Sequence, residues 1–175
     1  QVNFPDPWTG GWWRLRDIID YELIAVKALL EIASKNRVSF ISNFYHLGLK
    51  NVKFGKTKPP YGYIIPRQQW DLPAAYTFLQ KMEKHGVRIY QLEKNTQIGN
   101  RSFEKGDFVI PMNQPYRSFV KVMMEKQHYP EIKYMKDGPI IEPYDAAGWT
   151  MPLQMGVEVI ELNHSLNNIK LSRRN

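Results

Sequence analysis

The sequence contains no cysteine, which excludes a disulfide framework and any metal site built from thiolates. It has no run of about 18 apolar residues, so no membrane span is predicted. Charge of one sign is not concentrated either, because the net charge of +7 is spread along the chain without a block of like charges. A nucleic-acid binder is therefore a hypothesis that rests on net charge alone, and we expect no nucleic-acid partner.

Motifs of catalysis and of nucleotide binding are also missing from the sequence. There is no G-x-S-x-G nucleophile motif, no P-loop and no G-x-G-x-x-G fingerprint. What is present is ordinary globular material: 175 residues, of which 43% are hydrophobic and 13% aromatic. The sequence begins at Gln1 in a loop rich in Pro and Trp, and we interpret it as a piece of a longer protein.

The segment Trp12–Lys35 carries the strongest helical pattern in the chain. Its apolar residues recur at spacings of three, four and seven, and others widen this face well beyond one stripe. A helix this apolar is typically covered on more than one side. We therefore assign residues 1–36 to a bridging loop and helix, and predict that the helix once lay between two domains.

Residues 37–58 continue with a helical period and are predicted to be a helical linker that breaks at Gly55–Pro60. Residues 59–162 are predicted to form an α/β domain, and the polar tail 163–175 is expected to fray. The predicted fold class is α/β, a small mixed sheet with flanking helices that follows a long N-terminal helix.

The centre of this domain reads as one β-α-β unit. The run Tyr61–Ile65 is typical of a strand, Asp71 is a good N-cap for the next helix, and Gly86 suits its C-terminal end. A second strand at Val87–Leu92 is expected to lie parallel and adjacent to the first. Further elements are predicted downstream: a hairpin within Thr96–Pro111, a helix from Pro115 to Pro130, and a strand at Val157–Leu162.

The four histidines are the only candidates for a nitrogen-liganded metal site: His46, His85, His128 and His164. His128 and Glu131 have the H-x-x-E spacing that some zinc peptidases use. Pro130 interrupts the backbone between them, however, and the spacing alone matches often by chance. We interpret His128 as a helix-end residue and Glu131 as solvent-exposed, and predict no metal ligand in this chain.

Two loop clusters are candidates for ligand binding. The turn Gln114–Arg117 enters a helix and could hold an anion, while the Gly- and Pro-rich loop Asp145–Gln154 could line a pocket. The alternative for both is loop anchoring, in which aromatic rings bury and polar side chains bond the backbone. The candidate binding residues are Gln114, Tyr116, Arg117, Asp145, Trp149 and Gln154.

Blocks of sequence in a particular order carry a family resemblance. They read PWTGGWWRLRDIIDYE, PPYGYIIPRQQWD, FVIPMNQPYR, QHYPEI and PYDAAGWTMPLQMGVEV. In this order they resemble the region that follows the catalytic domain in large bacterial members of the zinc carboxypeptidase (carboxypeptidase A-like) family. The resemblance runs from about Asn3 to Val159 and covers nearly the whole chain.

The resemblance implies a division of labour within a longer protein. The family's zinc ligands and catalytic Glu would lie upstream of Gln1, so this chain would carry no cofactor and be inactive alone, with zinc in the parent catalytic domain. It implies a secreted or periplasmic hydrolase, and a downstream domain similar to part of a class I glutamine-amidotransferase-like fold. We expect the Trp12–Lys35 helix to contact the catalytic domain, or a second copy in a homodimer. The expected function is thus that of a non-catalytic accessory segment that supports or gates the catalytic domain, and a peptide- or anion-binding α/β module is the alternative.

Overall fold

Two long helices come first in the computed structural model, which describes residues 9–126, 128, 130–142, 148 and 150–174. They are α1 (Leu15–Lys35) and α2 (Arg37–Thr57). The remaining helices are α3 (Leu72–Lys84), α4 (Arg117–Met124) and α5 (Met151–Gln154). The strands are β1 (Gly62–Ile65), β2 (Tyr90–Leu92), β3 (Thr96–Ile98), β4 (Arg101–Phe103), β5 (Phe108–Pro111), β6 (Ile160–Leu162) and β7 (Leu171–Arg173).

The chain divides into two compact units, Gln1–Tyr45 and His46–Asn175, with the boundary inside α2. In the first unit, none of the 21 residues of α1 is buried. No helix among the described residues is both long enough and apolar enough to cross a membrane.

The second unit is built on a five-stranded sheet with the order β6-β1-β5-β2-β7. Every neighbouring pair in this sheet is antiparallel. The fold is therefore α/β as predicted, but the expectation of a mixed sheet with β1 and β2 as parallel neighbours was wrong. The two strands run parallel to each other with β5 between them, because the chain leaves β2 through a short hairpin and returns antiparallel to it.

The connectivity contains two interlocked units of the split β-α-β kind. β1, α3 and β2 leave a gap that β5 fills, and β5, the segment with α4 and α5, and β6 leave a gap that β1 fills. The hairpin of β3 and β4 forms a separate two-stranded sheet, and its turn is at Gly99–Asn100. This topology places the central strands β1 and β5 between two layers.

Both faces of β1 and β5 are buried, which explains their continuous apolar runs. On one face, Tyr63 and Phe108 pack with α3 and α4. On the other, Ile64 and Val109 pack with Phe103 of the hairpin and with the segment around Leu166. The layered core therefore lies wholly within the second unit.

Helix α3 forms where its local signals predict. Asp71 Oδ1 accepts a hydrogen bond of 2.8 Å from the Ala74 N–H, and Pro73 lies in the first turn, where no donor is needed. Gly86 takes a positive φ of 86° directly after the helix. The face that points into the core consists of Ala75, Phe78, Leu79 and Met82.

Two expectations about the ends of the second unit were wrong. Helix α2 does not break at Gly55; it continues to Thr57, and Gly55 lies so close to the Met112 carbonyl that no side chain fits between them. The tail does not fray throughout, because Leu171–Arg173 pairs with β2 as an edge strand. The Arg174 side chain then forms an ion pair of 2.7 Å with Glu83 on α3.

Candidate functional site

Gln114, the first of the predicted binding residues, is buried and hydrogen-bonded to the backbone. Its Oε1 accepts from the Arg88 N–H at 2.8 Å, and its Nε2 donates to the carbonyls of Pro111 at 2.6 Å and Arg88 at 3.2 Å. The side chain thereby joins the end of β5 to the entry of β2. This is the anchoring arrangement that the sequence analysis weighed against ligand binding.

Tyr116 and Arg117 lie beside Gln114 and face different neighbours. The Tyr116 ring covers Gly86, where an added Cβ would lie 2.8 Å from the ring. The Arg117 Nη2 donates to the Pro59 carbonyl at 3.2 Å, while its Nε is enclosed without a hydrogen-bond partner among the described residues. The two side chains therefore help to fix the α4 entry.

The second predicted loop is only partly within the described residues. Asp145 and Trp149 lie outside them, whereas Gln154 is the last residue of α5 and is exposed. Thr150, at the start of α5, is buried, and its Oγ1 donates to the Glu125 carbonyl at 2.9 Å. The ligand-binding role expected of this loop stays a prediction.

A cleft of about 520 Å³ lies between the C-terminal end of α4, the start of α5 and the edge strand β6. This volume falls within the range of about 300–1,000 Å³ that is typical of small-molecule sites. Its apolar lining includes Met124, Pro152 and Val157, which are all buried. The cleft lies within the second unit and takes residues from segments far apart in the sequence.

The phenol of Tyr63 forms the polar part of the cleft wall. Tyr63 stands in the middle of β1 directly opposite Glu161 of β6, so the two side chains share one face of the sheet. The Tyr63 hydroxyl donates to Glu161 Oε2 at 3.4 Å, and the residue is 1% exposed. Burial and then the charges of Glu161 and Glu125 raise the pKa of Tyr63 well above its ordinary value, so the phenol is a neutral donor at physiological pH.

Charges of both signs surround this apolar wall. The cationic or titratable side chains are Arg101, Lys126 and His128, and the carboxylates are Glu125 and Glu161. Glu125 forms an ion pair of 3.0 Å with Lys121. Arg101, Lys126 and Glu161 form no ion pair within the described part of the chain. The cleft is therefore lined by groups of both charges together with apolar side chains.

The H-x-x-E pair does not meet further ligands in the described residues. His128 and Glu131 are both exposed, and no group of three or more His, Asp or Glu side chains is gathered there. His85 lies at the end of α3, with its Nδ1 2.8 Å from the Lys81 carbonyl and its ring stacked on Phe119. These contacts give His85 a structural role.

Sequence reasoning missed this cleft because its members share no motif. Tyr63 and Glu161 lie on neighbouring strands of the five-stranded sheet, whereas Arg101 comes from the separate hairpin sheet, so only the tertiary fold brings the three residues to one cleft. The alternation of apolar and acidic residues in 157–162 was the one available signal, since it predicts that Glu161 stands on a strand. It does not reveal which strand lies beside it.

No protein-family model, curated protein or solved structure matches this chain.

Proposed function

We propose that this chain is a non-catalytic accessory segment of a zinc metallocarboxypeptidase-like protein, in which α1 docks against the catalytic domain. The proposal takes the partner from the resemblance of the sequence blocks. In the same proposal, the zinc and the catalytic Glu belong to that partner, the protein is secreted or periplasmic and bacterial, and the domain of 59–162 is related to a class I glutamine-amidotransferase-like fold.

The observation that carries the proposal is the uncovered apolar face of α1. Ile19, Val26 and Leu30 lie on one side of the helix by their spacing and are 42%, 52% and 65% exposed. Burying one such side chain fully is worth about 1.5–3 kcal/mol. A row of them in water is costly and prone to association, so a covering surface accounts for the pattern.

Isothermal titration calorimetry tests the proposal. It measures binding of this chain to a separately prepared zinc carboxypeptidase-type catalytic domain from the same source. We expect a one-to-one complex. The double variant Val26→Asp/Leu30→Asp should abolish it, because each substitution would place a carboxylate in the apolar contact. The control Lys27→Asp lowers the net charge by the same amount on the polar side of α1 and should leave binding intact.

Two results would count against this proposal. The first is a chain that cleaves C-terminal residues from peptides by itself when zinc is supplied. The second is a chain that forms a stable homodimer through α1, detected by light scattering, and does not bind the catalytic domain. In the second case the apolar face would be a self-association surface.

The second candidate function is the peptide- or anion-binding module. The cleft beside α5 favours it, because Arg101 and Lys126 line the cleft without a carboxylate partner in the described residues. Titration with phosphate and with a short acetylated peptide tests it. Binding that is unaffected by Arg101→Gln and Lys126→Gln would exclude the cleft as the binding site.

A further inference from the structure

We infer that the cleft between α4, α5 and β6 is a binding site for a small zwitterion with an apolar side chain, of which a free aliphatic amino acid is the simplest case. The inference rests on the binding-module proposal alone and not on the role of α1. It goes further than that proposal, because it specifies a ligand with both charges.

The negative side of the site is formed where β1 and β6 pair. Glu161 has the Tyr63 phenol as its hydrogen-bond partner at a long 3.4 Å and has no ion pair in the described residues. A primary ammonium has three donors and would find acceptors at the Glu161 carboxylate and at the phenol oxygen. Glu125 adds a second negative charge near the phenol, although Lys121 already pairs with it.

Two cationic side chains line the same cleft, Arg101 of β4 and Lys126 directly after α4. Neither has a carboxylate partner among the residues that the structure describes, so the guanidinium and the ammonium can bind a ligand carboxylate by charge-assisted hydrogen bonds. A ligand with only a positive charge would leave Arg101 and Lys126 without a counter-charge, and a ligand with only a negative charge would leave Glu161 without one. A zwitterion satisfies both sides at once.

The apolar wall accommodates the ligand's side chain. Met124, Pro152 and Val157 line the cleft, and each is otherwise buried in the packed core around it. Thr150 holds the start of α5 to the end of α4 through the Glu125 carbonyl, which keeps two walls of the cleft together. The volume of about 520 Å³ leaves room for an amino acid and its solvent.

The test is calorimetric titration of the full chain with L-leucine and three analogues that differ in one feature each. 4-Methylpentanoate lacks the amine, 3-methylbutylamine lacks the carboxylate, and N-acetyl-L-leucine imitates the end of a peptide. We expect leucine to bind and each analogue to bind at least about tenfold more weakly, since each loses one charged contact.

Variants of the two sides should act on different analogues. Glu161→Gln should lower the affinity for leucine at least about tenfold and leave the affinity for 4-methylpentanoate unchanged. Arg101→Gln should lower the affinity for leucine and leave the affinity for 3-methylbutylamine unchanged. Glu93→Gln and Lys84→Gln, which alter exposed charges outside the cleft, are the matched controls. Methyl resonances of Met124 and Val157 in the unaltered protein provide a second measurement, and they should shift on addition of leucine.

Several results would overturn the inference. One is no binding of leucine at a concentration of about 1 mM. Another is an affinity for 4-methylpentanoate or 3-methylbutylamine equal to that for leucine, since the site would then recognise only one of the two charges. Equal affinity for N-acetyl-L-leucine would overturn it in favour of a peptide end and would leave the binding-module proposal standing. Unmoved Met124 and Val157 resonances in the presence of bound leucine would place the ligand elsewhere.

Discussion

Helix α1 and the C-terminal residues 164–174 contrast sharply in composition and in burial. The helix is rich in Leu and Ile, and none of its residues is buried. The tail is mostly polar, yet β7 pairs with β2, and Leu166 and Ile169 pack against the core. Arg174 lies over the rings of Tyr76 and Phe108 at 5.6 and 5.5 Å. The hydrophobicity of a segment indicates how much free energy it would gain if another surface covered it. Whether another part of the chain covers it depends on the topology of the fold.

The largest expected effect compares a buried side chain with an exposed one. Phe78→Ala removes a fully buried ring from the face of α3 and should lower the free energy of unfolding by about 3–5 kcal/mol. Leu30→Ala on α1 should change it by less than about 0.5 kcal/mol in the isolated chain. Urea denaturation followed by circular dichroism measures both. Equal losses would mean that α1 is covered in solution and would remove the contrast.

A second comparison uses two glycines of α2. At Gly55 an added Cβ would lie 1.9 Å from the Met112 carbonyl oxygen, so Gly55→Ala should force the helix away from β5 and cost about 1–3 kcal/mol. At Gly48 the nearest atom, Pro115 Cβ, is at an ordinary 3.7 Å. Gly48→Ala should stabilise the helix by about 0.5–1 kcal/mol. Thermal unfolding of the two variants measures both changes in stability. An unchanged stability of Gly55→Ala would contradict the close contact between Gly55 and Met112.

The sequence predicted what depends on neighbouring residues. The cap at Asp71 and the end of α3 at Gly86 were both predicted, because each signal lies within the helix or beside it. Strand order depends on contacts between distant segments, so the insertion of β5 between β1 and β2 was not predicted. Edge strands tolerate polar residues, which is why Leu171–Arg173 looked like a tail.

In the candidate site, too, contacts between distant segments could not be predicted from local sequence signals. Gln114 was predicted as a candidate ligand-binding residue, but its neighbours in the fold engage its amide in backbone hydrogen bonds. Tyr63 and Glu161 meet only because β6 pairs with β1. A sequence without a motif at either position contains no local trace of that pairing.

A smaller effect is expected at the anchor of the tail. Arg174 is 13% exposed, pairs with Glu83 and stacks on two rings, so Arg174→Ala should cost about 1–2 kcal/mol and increase amide exchange in β7. Arg173→Ala is the control, because that side chain is exposed and forms no ion pair or ring contact within the described part of the chain. Hydrogen exchange measured residue by residue distinguishes the two. Unchanged protection in β7 would show that strand pairing alone holds the tail.

The smallest expected effect is a change, at high pH, in how steeply the free energy of unfolding falls with pH. The pKa of Tyr63 is raised in the folded protein, chiefly by burial and then by Glu161. The pKa of a tyrosine in an unfolded chain is about 10. The folded state therefore holds the phenolic proton where the unfolded state releases it. The stabilisation is complete below about pH 10 and is lost as the pH rises from there through the folded pKa. Tyr63→Phe should flatten the decline of unfolding free energy above pH 10, and the exposed control Tyr134→Phe should not. Identical slopes for the two variants would mean that the Tyr63 phenol is not held protonated by its surroundings.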